Sequence, residues 1–354
     1  MNTLRPSSRS VTQKTIASAL NIDQTTVSRC FNTPDRVDLK TRERIMSKAK
    51  ELGYRPNWRG RVFRRQQTRM IGLVHTDERI TYSYGNSNLL GGLIGALHDR
   101  SYQLVHVRVA EGGEHTDSLV DARFDGCFVD YFVRDIEIDA IRQAALPAIL
   151  INAAPKPGFP AVAPDHVEAG RLMGRHLLAH GHRRAAFFRD FHLPGVNHPD
   201  FTSEAWVAGL RETFREAGVG DGVIVVRPNR EIDLLGRQLS PAFLEAMKSL
   251  GALNHSPTAL IAESPTHAID EISWQLPSTG LEAAGSVHVA SMVDSPVLKR
   301  RSRPVSAIRM PYRMMGELAA KLLIQNIEDD GSIESPDLLP VELIDRHAND
   351  GSKH

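Results

Sequence analysis

A change of rhythm at Met70 constrains this chain more than any other feature. From there, short apolar runs alternate with longer stretches of helical periodicity. "MIGLVH", "YQLVHVRV", "DGCFVDYF" and "PAILIN" read as strands, with helices in "LLGGLIGALHDR" and "IEIDAIRQAAL". Strands joined by crossovers long enough for a helix form a parallel, doubly wound sheet. A second series begins near Asp165: helix "EAGRLMGRHLLAHG", strand "RRAAFFR", helix "SEAWVAGLRETFREAG", strand "GVIVVR", helix "PAFLEAMKSLG", then strands "TALIAE" and "SVHVASM". Two such sheets in tandem make a bilobal α/β body, whose expected ligand site lies at the carboxyl ends of the strands, between the lobes.

Polar residues at those strand ends are the candidates. His75, Thr76 and Asp77 follow the first strand and Asn152 the fourth. Asp165 and His166 sit where one lobe passes into the next; Arg189 and Asp190, Glu263 and Asp294 end strands of the second series. Each is equally suited to capping a helix or facing water. No catalytic unit can be assembled: the histidines are scattered, "HGH" at His180 and His182 falls in a turn, and HExxH, GxSxG, GxxxxGK[ST] and GxGxxG are absent. Neither an enzyme nor a cofactor is expected. Cys30 and Cys127 are too few for a disulfide scaffold and show no metal-ligand spacing, so no metal is expected either.

The residues before this body differ in charge. Sixteen Lys/Arg stand against five Asp/Glu through Met70, a net +11; the remaining 27 and 37 give −10. A basic head on an acidic body is the electrostatic footprint of a module that meets a polyanion, although basic termini are also common. Three short helices fit the head. Thr12 caps "QKTIASAL", Asp23 caps "QTTVSRCF" after the turn "NI", and Asp38 caps "LKTRERIMSKAKEL", which Gly53 ends. Ala17 is small enough to let Val27 approach. With Val27 and Phe31 inward, Gln24, Thr25, Ser28 and Arg29 face solvent, as on a recognition helix in the major groove. Gln pairs bidentately with adenine, Thr reaches a thymine methyl and Arg forks onto guanine. The alternative is an ordinary solvated face.

The arginine-rich stretch from Gly53 to Thr68 follows. It is too short and too charged to hold a helix alone, so it is expected to fold where phosphates neutralise it. Val62 and Phe63 form its apolar tip, suited to wedging between base steps from the minor groove. A plain basic linker is the alternative.

In "VTQKTIASALNIDQTTVSRCFN", "VDLKTRERIMSKAKELGYRPN", "TRMIGLV", the "PDH" at Pro164 to His166, "HLLAHGHRR" at His176 to Arg184 and the closing "LPVELIDR", the chain resembles, over nearly its whole length and in order, the LacI/GalR family of bacterial transcription regulators. The resemblance implies an all-α helix-turn-helix headpiece joined by a hinge helix to a bilobal α/β body resembling type I periplasmic sugar-binding proteins. It implies a homodimer, or a tetramer, on a pseudo-palindromic double-stranded operator, with a saccharide or derivative in the cleft controlling how the headpieces are held. By position, Gln24, Thr25 and Arg29 read bases. Thr12, Thr26, Ser28, Asn32, Tyr54, Arg55, Asn57, Arg59 and Arg61 contact the backbone or support it, and Val62 and Phe63 form the wedge. The hinge departs from the family's "RPNxxARxL": "RPNWRGRVF" puts Phe63 at the wedge and Gly60 where Ala is usual, weakening the helix by about 1 kcal/mol.

The effector site departs further. Where sugar-binding members have Arg in "RxxGF", this chain has Trp206, whose ring could stack on a sugar face; Glu263 and Asp294 fall near the family's other contacts, and His166 replaces Asn. Asp77, Tyr82, Tyr84, Asp165, His166, Arg189, Trp206, Glu263 and Asp294 make up the expected effector set, the two tyrosines on an inserted loop. The ligand is read as a neutral saccharide or glycoside, with another metabolite or a vestigial site left open. Expected divisions are a headpiece at 1–55, a hinge at 56–69, one subdomain at 70–161 plus about 295–330, another at 162–294 plus about 331–347, and a tail at 348–354. Function is read as a repressor of carbohydrate-utilisation genes. The rivals are a sugar-binding module without DNA function and a regulator responding to a non-sugar metabolite. Without a signal peptide or apolar span, the protein is expected in the cytoplasm, at the nucleoid when on DNA, with no membrane partner.

Overall fold

A computed structural model describes residues 11–54, 67–75, 84–109, 124–130, 135–189, 201–227, 241–263, 267–329 and 333–347. The chain divides into two compact units, Met1–Gln67 and Thr68–His354.

The first unit contains α1 (Gln13–Leu20), α2 (Gln24–Asn32) and α3 (Leu39–Glu51). Each begins at the expected cap. The Thr12 hydroxyl accepts from the Thr15 amide while the Thr15 hydroxyl accepts from the Thr12 amide, a capping box built from two threonines. Asp23 accepts from the Thr25 amide at 2.6 Å and Asp38 from the Thr41 amide at 3.0 Å. Asn21 leaves α1 in the left-handed region, and Gly53, at φ +66°, follows α3. Ile16, Ala17, Val27, Cys30, Ile45 and Ala49 form the small core, with Phe31 and Tyr54 half-buried against it.

The second unit starts with β1 (Met70–His75), α4 (Tyr84–Asp99), β2 (Gln103–Arg108), β3 (Gly126–Asp130), α5 (Asp135–Gln143), β4 (Ala148–Ile151) and β5 (Ala161–Val162). These strands form a wholly parallel sheet of order β2-β1-β3-β4-β5. The chain continues through α6 (His166–Ala179), β6 (Ala185–Phe188), α7 (Phe201–Glu216), β7 (Val223–Val226), α8 (Pro241–Gly251), β8 (Ala259–Ala262), α9 (His267–Gln275) and β9 (His288–Ser291). Last come β10 (Val305–Arg309), α10 (Tyr312–Asp329) and β11 (Glu342–Ile344). The second sheet runs β7-β6-β8-β9-β10-β11, with β11 antiparallel to its neighbour. Leaving out that edge strand, both sheets have one strand order, the doubly wound arrangement whose switch point is a ligand crevice.

The backbone passes between the lobes at three places. β5 leads into α6, β10 of the second sheet leads into α10 on the first core, and Leu339 of the first core precedes β11. Pro164 and Leu339 bridge two of these passages. In each lobe, glycines let helices meet backbone to backbone. A Cβ on Gly170 of α6 would stand 1.9 Å from the Trp206 carbonyl oxygen of α7, and one on Gly92 of α4 would stand 2.2 Å from the Arg313 carbonyl oxygen of α10. No helix among the described residues is long and apolar enough to cross a membrane.

Several expectations change. Helix α4 begins at Tyr84, so that residue starts a helix instead of lying on an inserted loop; its side chain is outside the described residues. Residues from about 295 to 309, expected in the first subdomain, lie in the second: Leu298 and Val305 pack in its core and β10 pairs with β9, so the passage falls just before α10. β5, α9, β10, α10 and β11 are further elements that the apolar pattern alone had not resolved.

Candidate functional site

The head's candidate face is built on α2. Its cap sets the phase: with Asp23 outside the helix, Val27 and Cys30 point into the core. Gln24, Thr25 and Arg29 are then exposed, while Thr26 and Ser28 are half-buried. Hydrogen bonds from the Thr25 hydroxyl, then from its amide, hold the Asp23 carboxyl below its ordinary pKa and keep it ionised at the helix start. Thr12 is exposed at the start of α1. Tyr54 packs its ring 5.2 Å from that of Phe31, fixing the exit of α3 against α2. Arg55, Asn57, Arg59, Arg61, Val62 and Phe63 lie outside the described residues, as does the side chain of Asn32.

In the body, the structure brings together two candidates from different lobes. Asn152 ends β4 in the left-handed region, at φ 56°, and its Oδ1 lies 2.8 Å from Nε2 of buried His166 at the start of α6. Asp165 caps that helix, accepting from the Glu168 amide at 2.8 Å. His75 ends β1, buried, with its ring edge-on to His106. Asp77, Thr76 and Tyr82 lie outside the described residues, as does Asp190.

Arg189, Glu263 and Asp294 do sit at the carboxyl ends of the second sheet, already partnered. Arg189 Nη1 is 3.8 Å from Glu204, and buried Glu263 accepts a hydrogen bond from the Ser203 hydroxyl. Asp294 is 2.5 Å from Arg346 Nη2 and 3.8 Å from Arg309 Nε, with its side chain 12% exposed. Its charge is therefore compensated within the protein, so as an expected effector contact it is already paired. Sequence reasoning did not find Arg309 or Arg346; for Arg346 a signal was the charged "DR" closing "LPVELIDR", and Arg309 ends β10.

Trp206 requires a larger correction. Its side chain is 0% exposed, tilted against Phe187 at 5.3 Å in the core beneath α6 and α7. It has no face to offer a sugar. The loss of a cation there made an aromatic read as a binding surface, when the helix phase makes it a core residue. A separate surface concavity of about 750 Å³ lies between α5 and the Lys156–Phe159 turn, at the amino ends of β4 and β5, away from the strand ends that bind ligands in such sheets.

A three-helix unit with a polar-faced second helix, followed by two lobes of shared parallel topology, defines a helix-turn-helix regulator with a periplasmic-binding-protein-like body. Two family profiles match it: bacterial regulatory proteins of the lacI family over residues 12–57, and a periplasmic binding protein-like domain over residues 175–348. The chain belongs to the LacI/GalR family of bacterial transcription regulators. It is 25% identical over 339 residues to the HTH-type transcriptional regulator IpsA of Corynebacterium glutamicum, covering 90% of this chain and 92% of that one. Among solved structures, the lac repressor dimer bound to operator and the anti-inducer ONPF superposes with a TM-score of 0.74 at 19% identity, covering 96% and 98% of the two chains. A complex of the transcriptional regulator CelR with cellobiose gives a TM-score of 0.62 at 22% identity, covering 95% and 99%.

Proposed function

We propose that this sequence-specific DNA-binding regulator reads its operator through Gln24, Thr25 and Arg29 and reports a saccharide bound between the lobes. The observation that carries the reading is the phase of α2: three side chains able to pair with base edges are exposed on the helix whose other face is core. Thr12, Thr26 and Ser28 flank them toward the phosphates. Arg55, Asn57, Arg59 and Arg61 supply further positive charge, and Val62 with Phe63 forms the minor-groove wedge. Two copies on a pseudo-palindromic site place both headpieces in successive major grooves, and the second half-site contact becomes intramolecular once the first is made. The protein works in the cytoplasm, at the nucleoid when on DNA.

The ligand class is supported by the CelR–cellobiose likeness and by the polar residues at the start of α6, Asp165 and His166, and at the strand ends, Arg189, Glu263 and Asp294. A ligand that prefers one lobe arrangement shifts operator affinity by its differential affinity alone. The genes under control are then those of carbohydrate utilisation. A second reading, a non-sugar metabolite, is favoured by the core position of Trp206 and the internal pairing of Asp294, which commit two of the expected sugar contacts elsewhere. Binding-site selection on genomic fragments, followed by gel shifts with neutral sugars and non-sugar metabolites, tests all of this. A palindrome bound in preference to random duplex and released by a neutral disaccharide is expected. No preference for any fragment sinks the DNA reading; a selected operator that responds only to non-sugar metabolites replaces the ligand.

A further inference from the structure

Five of the fifteen histidines, scattered in sequence, meet at the edge of the second sheet opposite the strand ends described above. Helix α6 starts at the passage between lobes and rises about 15 Å at 1.5 Å per residue to His176 in its last turn, and His180, its C-cap, follows one turn later. His288 starts β9, His182 leads into β6, and the segment after β11 brings Asp345 and His347. The rings of His176 and His180 are 4.4 Å apart, and His288 lies 5.0 Å from His176 and stacks on His347 at 3.7 Å.

The hydrogen bonds decide which nitrogens carry lone pairs. His180 Nδ1 lies 2.9 Å from the His176 carbonyl oxygen, which can only accept; Nδ1 therefore bears the proton and Nε2 the lone pair. His176 Nε2 lies 3.2 Å from His288 Nε2, so one proton is shared there. With that proton on His176, its Nδ1 lone pair faces Asp345 Oδ2, 3.7 Å away. The other Asp345 oxygen accepts from the His347 amide at 2.8 Å. Donor atoms of His176, His180 and Asp345 all lie within 4.8 Å of one another. Bonds of about 2.0–2.2 Å to a tetrahedral ion would draw them about 1 Å closer, with backbone hydrogen bonds already orienting the ligands.

We propose that His176, His180 and Asp345 hold one divalent transition-metal ion of the zinc class, fastening the segment after β11 to the end of α6. Imidazole and carboxylate donors suit such an ion, and a helical pair of histidines four residues apart presents two donors on one face. Because the ion would bind the folded chain, it would stabilise it in proportion to its concentration over Kd. The site lies a helix length from the effector candidates, so it stands or falls separately from them.

The full-length protein, made without a histidine tag and stripped with chelator, is titrated with Zn2+ by calorimetry and with Co2+ by visible absorption. Expected are one ion per chain, a low-symmetry Co2+ spectrum, and a rise in Tm that chelator reverses. His180→Gln, at an exposed position, and Asp345→Asn each weaken Zn2+ binding by at least about 10-fold. His98→Gln, on the other lobe, leaves it unchanged. Should Asp345→Asn unfold, Zn2+-induced shifts of the His176 and His180 ring nitrogens in the wild-type chain decide the matter by NMR. Absence of stoichiometric binding, or binding that His180→Gln leaves intact, overturns the site.

Discussion

Arg29 and Trp206 sit on helices of similar polarity, yet their surroundings give them opposite fates. Arg29 is exposed on α2 with Gln24 and Thr25, so Arg29→Ala leaves the headpiece core of Ile16, Val27 and Ile45 untouched. Loss of a bidentate base contact costs about 1–3 kcal/mol of discrimination, and gel shifts on the selected operator should weaken far more than those on random duplex. An equal loss on both would make Arg29 a phosphate contact. Trp206 is the reverse case: its ring is wholly buried, and its Nε1 has no hydrogen-bond partner among the described residues. Trp206→Phe removes that unsatisfied donor and keeps most of the volume, so chemical denaturation should show a change under about 1.5 kcal/mol and an unchanged effector response. Trp206→Ala should cost about 3–5 kcal/mol. An effector affinity abolished by Phe at full stability would restore the stacking role.

Two helix pairs, α6 with α7 and α4 with α10, repeat one device, a glycine on each helix facing backbone on the other. Gly170→Ala drives a methyl into the Trp206 carbonyl, and separation of α6 from α7 should cost about 1–3 kcal/mol, read as a lower denaturation midpoint with operator specificity intact. The same substitution at Gly91, where an added Cβ meets nothing within 4 Å, should stabilise α4 slightly. If both changes proved neutral, the backbone contact would not be limiting. Elements of this kind were legible where local chemistry decided them. Thr12, Asp23 and Asp38 announced three helix starts, and the apolar runs announced β1 to β4 and β6 to β9. β5 is two residues long, too short to show a period, and its pairing with β4 is decided by tertiary contact. The site was legible only in part for a related reason. Asn152 and His166 could each be named as strand or helix ends, but the bond between them depends on how two lobes join, and Asp294 could not be matched to Arg346 across 52 residues.

Across the whole molecule, charge separates the two tasks. Residues after Met70 carry 37 acidic against 27 basic side chains, so the body repels a polyanion while the head attracts one. Every phosphate neutralised by the head releases counterions, and log affinity should fall with log salt by about 0.9 for each contact. The fragment Thr68–His354, one of the two compact units, should therefore give no gel shift at any salt, whereas the full chain should show a steep linear slope. Replacing Arg59 and Arg61 by Gln should lower that slope by up to about 2 for each copy on the DNA, because each guanidinium stands for one displaced cation. A slope that stays unchanged would place those two arginines away from phosphate and return the stretch after Tyr54 to the role of a linker. Under that outcome the headpieces would hold the operator through α2 alone, and a sugar between the lobes could act only by changing the distance between two independent headpieces.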